Sequence, residues 1–209
     1  MKQTHKLRLF TIVLVVLAVA IPLYPQTPPS PLVTGPIDEA NLVTLHGNVH
    51  PLAQPAYDRG AVPDALPAER VLLLLDRPPA REKALQQFLR DVHTRGSARY
   101  HAWLTPEQFG EQFGPADADI QTAANWLQSR GFNVARVTKS KQFIEFSGNA
   151  GQLRNAFHTE IHQYDVNGET HYANASEISI PASSPAAAYP AASCSCSSPA
   201  RRSHPARRP

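Results

Sequence analysis

Phe143-Ile144-Glu145-Phe146-Ser147-Gly148-Asn149-Ala150-Gly151-Gln152-Leu153-Arg154-Asn155-Ala156-Phe157 contains the change of period that decides the fold. Up to Ser147, Ile144 and Phe146 share one side of a two-residue repeat, the period of a half-buried strand. From Asn149 the spacing becomes helical: Leu153, Ala156 and Phe157 fall on one face, and Gln152 stands three residues after Asn149, as a capping box requires. The next stretch, Thr159 to Val166, returns to strand character. Asn167-Gly168 tolerates positive φ at both positions and marks a two-residue hairpin, with Glu169 to Asn174 as the returning strand.

The same reading extends upstream. Phe132 to Thr138 alternates, with Phe132, Val134 and Arg136 on one side, and the polar Thr138-Lys139-Ser140-Lys141 is its hairpin loop. Before it, a helix starting at Asp117 or Asp119 turns Ile120, Ala123, Ala124 and Leu127 inward, carries Trp126 at its edge and stops at Gly131. Thr105-Pro106-Glu107-Gln108 begins a shorter helix, with a capping threonine, proline in the first turn and glutamine at the reciprocal position. That helix ends near Phe113, before Gly114-Pro115. Ala80 to Thr94 places Ala84, Leu85, Phe88, Leu89 and Val92 on one helical face, closed by Gly96. Within Glu69 to Asp76, the run Val71-Leu72-Leu73-Leu74-Leu75 lies between prolines and has the length of a buried strand. The order strand, helix, short helix, helix, strand, strand, helix, strand, strand predicts an α+β fold. Its core is a split β-α-β unit, an antiparallel sheet with helices packed on one face.

The flanks differ from this body. Met1 to Arg8 is basic and Leu9 to Leu23 almost wholly apolar, ending near Ala18-Val19-Ala20, the pattern of a signal peptide with a small-x-small cleavage site. About 15 apolar residues are short for a span that needs about 20. Export to the periplasm or medium is the expectation, with anchoring in the membrane by residues 9–23 as the alternative. Residues 24–65 are rich in proline, which fixes φ and removes a backbone donor, so they read as extended and mostly loop. Residues 182–209 collapse to Ala, Ser, Pro and Arg without periodicity, a composition expected to stay disordered. Their Cys194 and Cys196 lack the further ligands of a metal site.

Charge excludes a class of partner. The formal net charge is +3, from 20 Lys and Arg against 17 Asp and Glu. Seven of the basic residues lie in the first eight and last nine positions, leaving 13 against 17 in the body. A nucleic-acid interface needs clustered cations on the folded part, so none is expected. Nor does the body assemble a catalytic group. Ser147, His171 and Asp165 could be written as a triad, but Ser147 sits in a strand-to-helix turn where a hydroxyl caps backbone donors. His158 and His162 would share a helix face, yet strand character begins at Thr159 and would separate them by about 13 Å, too far for one zinc.

Taken together, the ordered residues resemble a known family. Tyr100-His101-x-Trp103-Leu104-Thr105-Pro106-x-x-Phe109, Phe113-Gly114, Trp126-Leu127, Gly131-Phe132-x-Val134, Phe146-Ser147-Gly148, Ala156-Phe157-His158-Thr159-Glu160, Tyr164-x-Val166-Asn167-Gly168 and Ala173-Asn174-Ala175 leading to Ile180-Pro181 are similar to the activation prodomain of sedolisin/kumamolisin-type serine-carboxyl peptidases. The strand and helix over residues 70–94 fit its beginning, and the resemblance covers about residues 66–181.

The resemblance implies a ferredoxin-like core, as in subtilisin-type propeptides. It also implies a prosegment that assists folding of a serine-carboxyl peptidase domain and blocks its active site until acid triggers release. The partner would be that catalytic domain, in cis within a precursor or in trans, with no nucleic acid and with membrane contact confined to the N-terminal segment. Family peptidase domains bind calcium, but the prodomain needs no cofactor or metal. The catalytic serine, glutamate and aspartate belong to that other domain, so the chain alone is expected to be inert. Tyr100, His101, Trp103, Leu104, Thr105, Phe109, Phe113, Trp126, Gly131, Phe132, Phe157, His158, Asn167, Gly168 and Asn174 divide between core and docking in a way the sequence leaves open.

Where the family pattern continues into a linker and peptidase, this sequence turns to low complexity after Pro181. That departure reads as a truncated or frameshifted precursor. The alternatives are a serine-type endopeptidase precursor whose catalytic part is missing or separately encoded, and a secreted binding module unrelated to proteolysis.

Overall fold

The computed structural model describes residues 28–185. The expected signal or anchor, Cys194 and Cys196, and the tail from residue 186 onward lie outside the described residues. In chain order the elements are β1 (Leu42–Leu45), β2 (Asp58–Ala61), β3 (Pro67–Leu74), α1 (Pro79–His93), α2 (Pro106–Phe113), α3 (Asp117–Ser129), β4 (Asn133–Val137), β5 (Phe143–Asn149), α4 (Ala150–Phe157), β6 (Ile161–Val166), β7 (Glu169–Asn174) and β8 (Ile178–Pro181).

β5 is the central strand of one antiparallel sheet, with β3 on one side and β4 on the other. A second sheet has the order β2-β6-β7. β2 and β3 are successive pieces of one run of chain, the first laddered to β6 and the second to β5. Pro63 lies between them and has no N–H to give a ladder, so the run breaks there and changes neighbour. The α+β class and the antiparallel pairing match the expectation. The single sheet is instead divided at the first strand, and β1 pairs with β8 in a separate two-stranded ribbon.

Local chemistry accounts for the elements read from sequence. Thr105 Oγ1 accepts from Gln108 N at 3.2 Å while Gln108 Oε1 accepts from Thr105 N at 2.9 Å. Asn149 and Gln152 make the same reciprocal pair at 2.9 Å each, starting α4 directly at the end of β5. Each box satisfies two backbone donors that a helix start otherwise leaves open. Asn167 and Gly168 take φ of 54° and 81°, the left-handed pair a two-residue hairpin needs.

The core lies between the sheets and the pair α3 and α4. Trp126 meets Phe157 edge-on at 5.6 Å, Phe132 meets Phe146 at 5.0 Å, and Val71, Leu73, Ile144, Leu127 and Leu153 pack around them. Trp126 is buried rather than at the helix edge. In β3, Val71 and Leu73 point into this core while Leu72 is 39 % exposed, because helices cover only one side of the sheet. α1 does not join the core. It packs against α2 through Leu85, Phe88, Val92 and Phe113, and Ala84 and Leu89 are left at the surface. The helix that covers the sheet in the first crossover is therefore α3, and α1 with α2 form an appended lobe.

The largest departure concerns the proline-rich stretch, which is mostly irregular but carries the two short strands β1 and β2. Leu45 is buried in the core. Asp119 neither starts α3 nor caps it: the N-cap is Ala116, without a side-chain bond. Its fully buried carboxylate instead accepts from the amides of Leu32 and Val33. β1 was illegible because its partner β8 lies about 135 residues away, and neither strand carries a hairpin signal.

Phe157→Ala removes the ring that touches Trp126, Phe132 and Phe146. The expected loss is about 3–5 kcal/mol of unfolding free energy in urea titration of the full chain. A loss below about 1 kcal/mol would show that this ring cluster is not the centre of the core.

Candidate docking surface

The appended lobe is built by two helices and the turn between them. Phe88 and Phe113 meet at 5.4 Å and Phe109 leans on Phe113 at 5.6 Å, with Leu104 partly buried beside them. Arg77 lies over Phe109 and Arg99 over Phe88, at 5.6 and 5.8 Å from the ring centres. Gly110 lets α2 sit close against the β4–β5 loop, since a Cβ there would lie 2.6 Å from Lys139 O. Lys139 then pairs with Glu107 at 2.7 Å and Lys141 with Asp117 at 2.5 Å.

The turn after α1 displays its aromatics. His101 takes a left-handed φ of 58°, and its amide donates to Val92 O at 3.0 Å, closing the helix end. Tyr100 stacks on His101 at 3.8 Å, His101 on Trp103 at 5.8 Å, and His93 meets Trp103 edge-on at 5.7 Å. Trp103 is 64 % exposed. With Leu89, also exposed, these rings form an apolar and imidazole face that the packing of the lobe does not consume.

The α1 segment and the turn after it carry a cationic excess that α2, with Glu107 and Glu111, partly offsets. Residues 77–105 hold six Lys and Arg against two acids, Glu82 and Asp91, whereas the rest of the described body holds seven against fifteen. Arg77 is committed to Glu82, and Arg81 to the carbonyls of Glu111 and Gly114. Arg95 and Arg99 are exposed beside the aromatic turn.

The structure gives each of the fifteen residues singled out from sequence a place in the core, at a chain reversal or at the surface. Phe113, Trp126, Phe132 and Phe157 are core. Leu104 and Phe109 are partly buried, and Thr105 is a helix cap. Gly131, His158, Asn167 and Gly168 take positive φ at chain reversals. Asn174 is buried, its Nδ2 donating to Ser176 O at 2.8 Å. Tyr100, His101 and Trp103 remain at the surface.

The residues considered for chemistry are not brought together. Ser147 belongs to β5, while Asp165 and His171 belong to β6 and β7 of the other sheet, and Asp165 faces Arg59 at 3.4 Å. His158 ends α4, and His162 points to Asp58 at 2.9 Å. No helix among the described residues is long and apolar enough to cross a membrane.

Several carboxylates depend on remaining charged. The Gly60 amide, then His162, hold Asp58 below the usual carboxylate range. The Asn48 and Gly47 amides do the same for Glu177, donating at 2.9 Å each. Lys139 lowers Glu107, and Arg136 lowers Glu145. Asp76 moves the other way, pushed up by burial. Neither Glu177 nor Asp119 had a sequence signal for its role, because each holds backbone donors far away in the chain.

Comparison with known proteins places the described body. The model of the pro-kumamolisin activation domain matches residues 57–185. Xanthomonalisin from Xanthomonas sp. is 36 % identical over 147 residues, covering 67 % of this chain and 17 % of the relative. Sedolisin from Pseudomonas sp. is 32 % identical over 100 residues, covering 48 % and 17 %. Aorsin from Aspergillus oryzae is 22 % identical over 100 residues, covering 47 % and 15 %. The chain therefore spans less than a fifth of the length of these curated relatives. The matched residues are an activation domain and not a catalytic one, and the chain belongs to the pro-kumamolisin activation domain family of sedolisin-type peptidases.

Proposed function

We infer that this chain is exported as the prosegment of a serine-carboxyl peptidase, assisting its folding and blocking its active site, in cis in a precursor or in trans. The Trp103 face of the α1–α2 lobe is its docking surface. The observation that supports this is an activation domain that exposes an indole, a tyrosine and two imidazoles beside Arg95 and Arg99 while its own core is complete without them. Interface hot spots are enriched in such aromatic and arginine side chains. A secreted binding module unrelated to proteolysis would have no reason to inhibit a peptidase.

Trp103→Ala leaves the core untouched and is expected to weaken inhibition of an acid-active sedolisin-type peptidase by the full chain at least about tenfold, read from dose-dependent loss of peptide hydrolysis. No inhibition by the unaltered chain would sink the prosegment reading. Equal inhibition by both would move the docking surface elsewhere.

Acid release follows from the lowered carboxylates. A carboxyl whose folded pKa is depressed stabilises the fold above its ordinary value and loses that contribution as pH falls through the folded value. Asp58, Glu107, Glu145 and Glu177 act in this sense, and Asp76 alone opposes them, because burial makes its protonated form the favoured one. The expected outcome is a melting temperature that is flat near neutrality and falls once pH drops below the ordinary values of 4.5 for Glu and 3.8 for Asp. Glu177→Gln should make that fall shallower. A melting temperature that rises between pH 5 and 3 would contradict the balance of these groups.

A further inference from the structure

The chain before the family match binds two places at once. At α3, the Leu32 amide donates to both Asp119 oxygens at 3.1 and 2.9 Å, and the Val33 amide donates to Oδ1 at 2.9 Å. Asp119 has no exposed surface, so these donors answer a charge that water does not reach. Glu39 accepts from Trp126 Nε1 at 3.1 Å and pairs with Arg130, one turn further along the same helix and its C-terminal cap.

From these anchors the strap reaches the last part of the described body. The Asp38 amide donates to Ser183 Oγ at 2.9 Å, and the Ala182 amide to Asn41 O at 2.8 Å. β1 pairs with β8 from Leu42 opposite Pro181 to Leu45 opposite Ile178. The Gly47 and Asn48 amides close on Glu177.

We propose that residues 32–48 are a clasp that holds Ile178–Ser183 against the core, so that a peptidase gains access to this segment only when the clasp is lifted from α3. The physical reason is the size of the ribbon. Two strands of four residues have no stability of their own and depend on what fixes them. Ile178 and Ile180 are fully buried in the core from the strand that β1 pairs, and cleavage of a paired, buried segment needs a local opening first. The bond from the Asp76 amide to Pro185 O, at 2.9 Å, lies beyond the clasp and would persist when it opens. The proposal is independent of whether the domain inhibits a peptidase.

The test compares the full chain with Asp119→Asn by amide hydrogen exchange and by timed digestion with proteinase K, reading cleavage from intact mass. The expected result is at least about tenfold faster exchange at residues 178–182 together with residues 32–33, the scale of losing bonds to a buried charge. β5 residues 144–146 should keep their protection, and cleavage within 178–184 should come earlier. Loss of protection at 32–33 with wild-type protection at 178–182 overturns the proposal, as does full protection at both. If Asp119→Asn also loosens β5, Glu39→Ala decides, because it removes the second anchor and leaves the buried carboxylate in place. Faster exchange at 178–182 in that variant upholds the clasp, and unchanged exchange overturns it.

Discussion

One covered face of β5 is the constraint on which the structure depends. Ile144 and Phe146 point to the same side, and α4 follows β5 without a loop, so Leu153, Ala156 and Phe157 are delivered onto the strand they have just left. The capping box at Asn149 makes that abrupt change possible by satisfying the first donors of α4. Once Phe157 stands over Phe146, the remaining space is shaped for Trp126 and Phe132, which fixes α3 and the start of β4. Aromatic edge-on packing is directional as well as apolar, so it sets orientation along with burial.

The covered face was legible because its signals are local. A two-residue period, a helical period, Thr105 and Asn149 with glutamine three residues on, and Asn167-Gly168 each state their conformation within a few residues. The clasp was not legible for the opposite reason. Leu42 to Leu45 is a strand only because Ile178 to Pro181 lies beside it, and a stretch with prolines on both sides gives no hint of that partner. Asp119 shows how a local rule can mislead. An acid in the first turn of a helix usually serves the helix dipole, but here the carboxylate faces the strap and no side chain caps the helix.

The lobe illustrates a subtler limit. The apolar positions of α1 were readable as one face, but periodicity does not name what that face meets. Leu85, Phe88 and Val92 found α2 instead of the sheet, and Leu89 found solvent. The motif around Trp103 was likewise visible as a cluster of aromatics, and only the packing shows that Trp126, Phe132 and Phe157 are consumed by the core while Trp103 is not.

This division separates the side chains that make the core from those left at the surface. The folding load falls on residues facing β5, and the sheet is closed without help from α1 or the turn after it. The lobe is tied to the body through α2, by the close approach of Gly110 to the β4–β5 loop and by the Glu107–Lys139 pair. Exposed ion pairs of this kind contribute little to stability, so the lobe is held mainly by its own small ring cluster and by close backbone approach. That packing leaves the Trp103 indole exposed, an apolar patch of the kind that favours association.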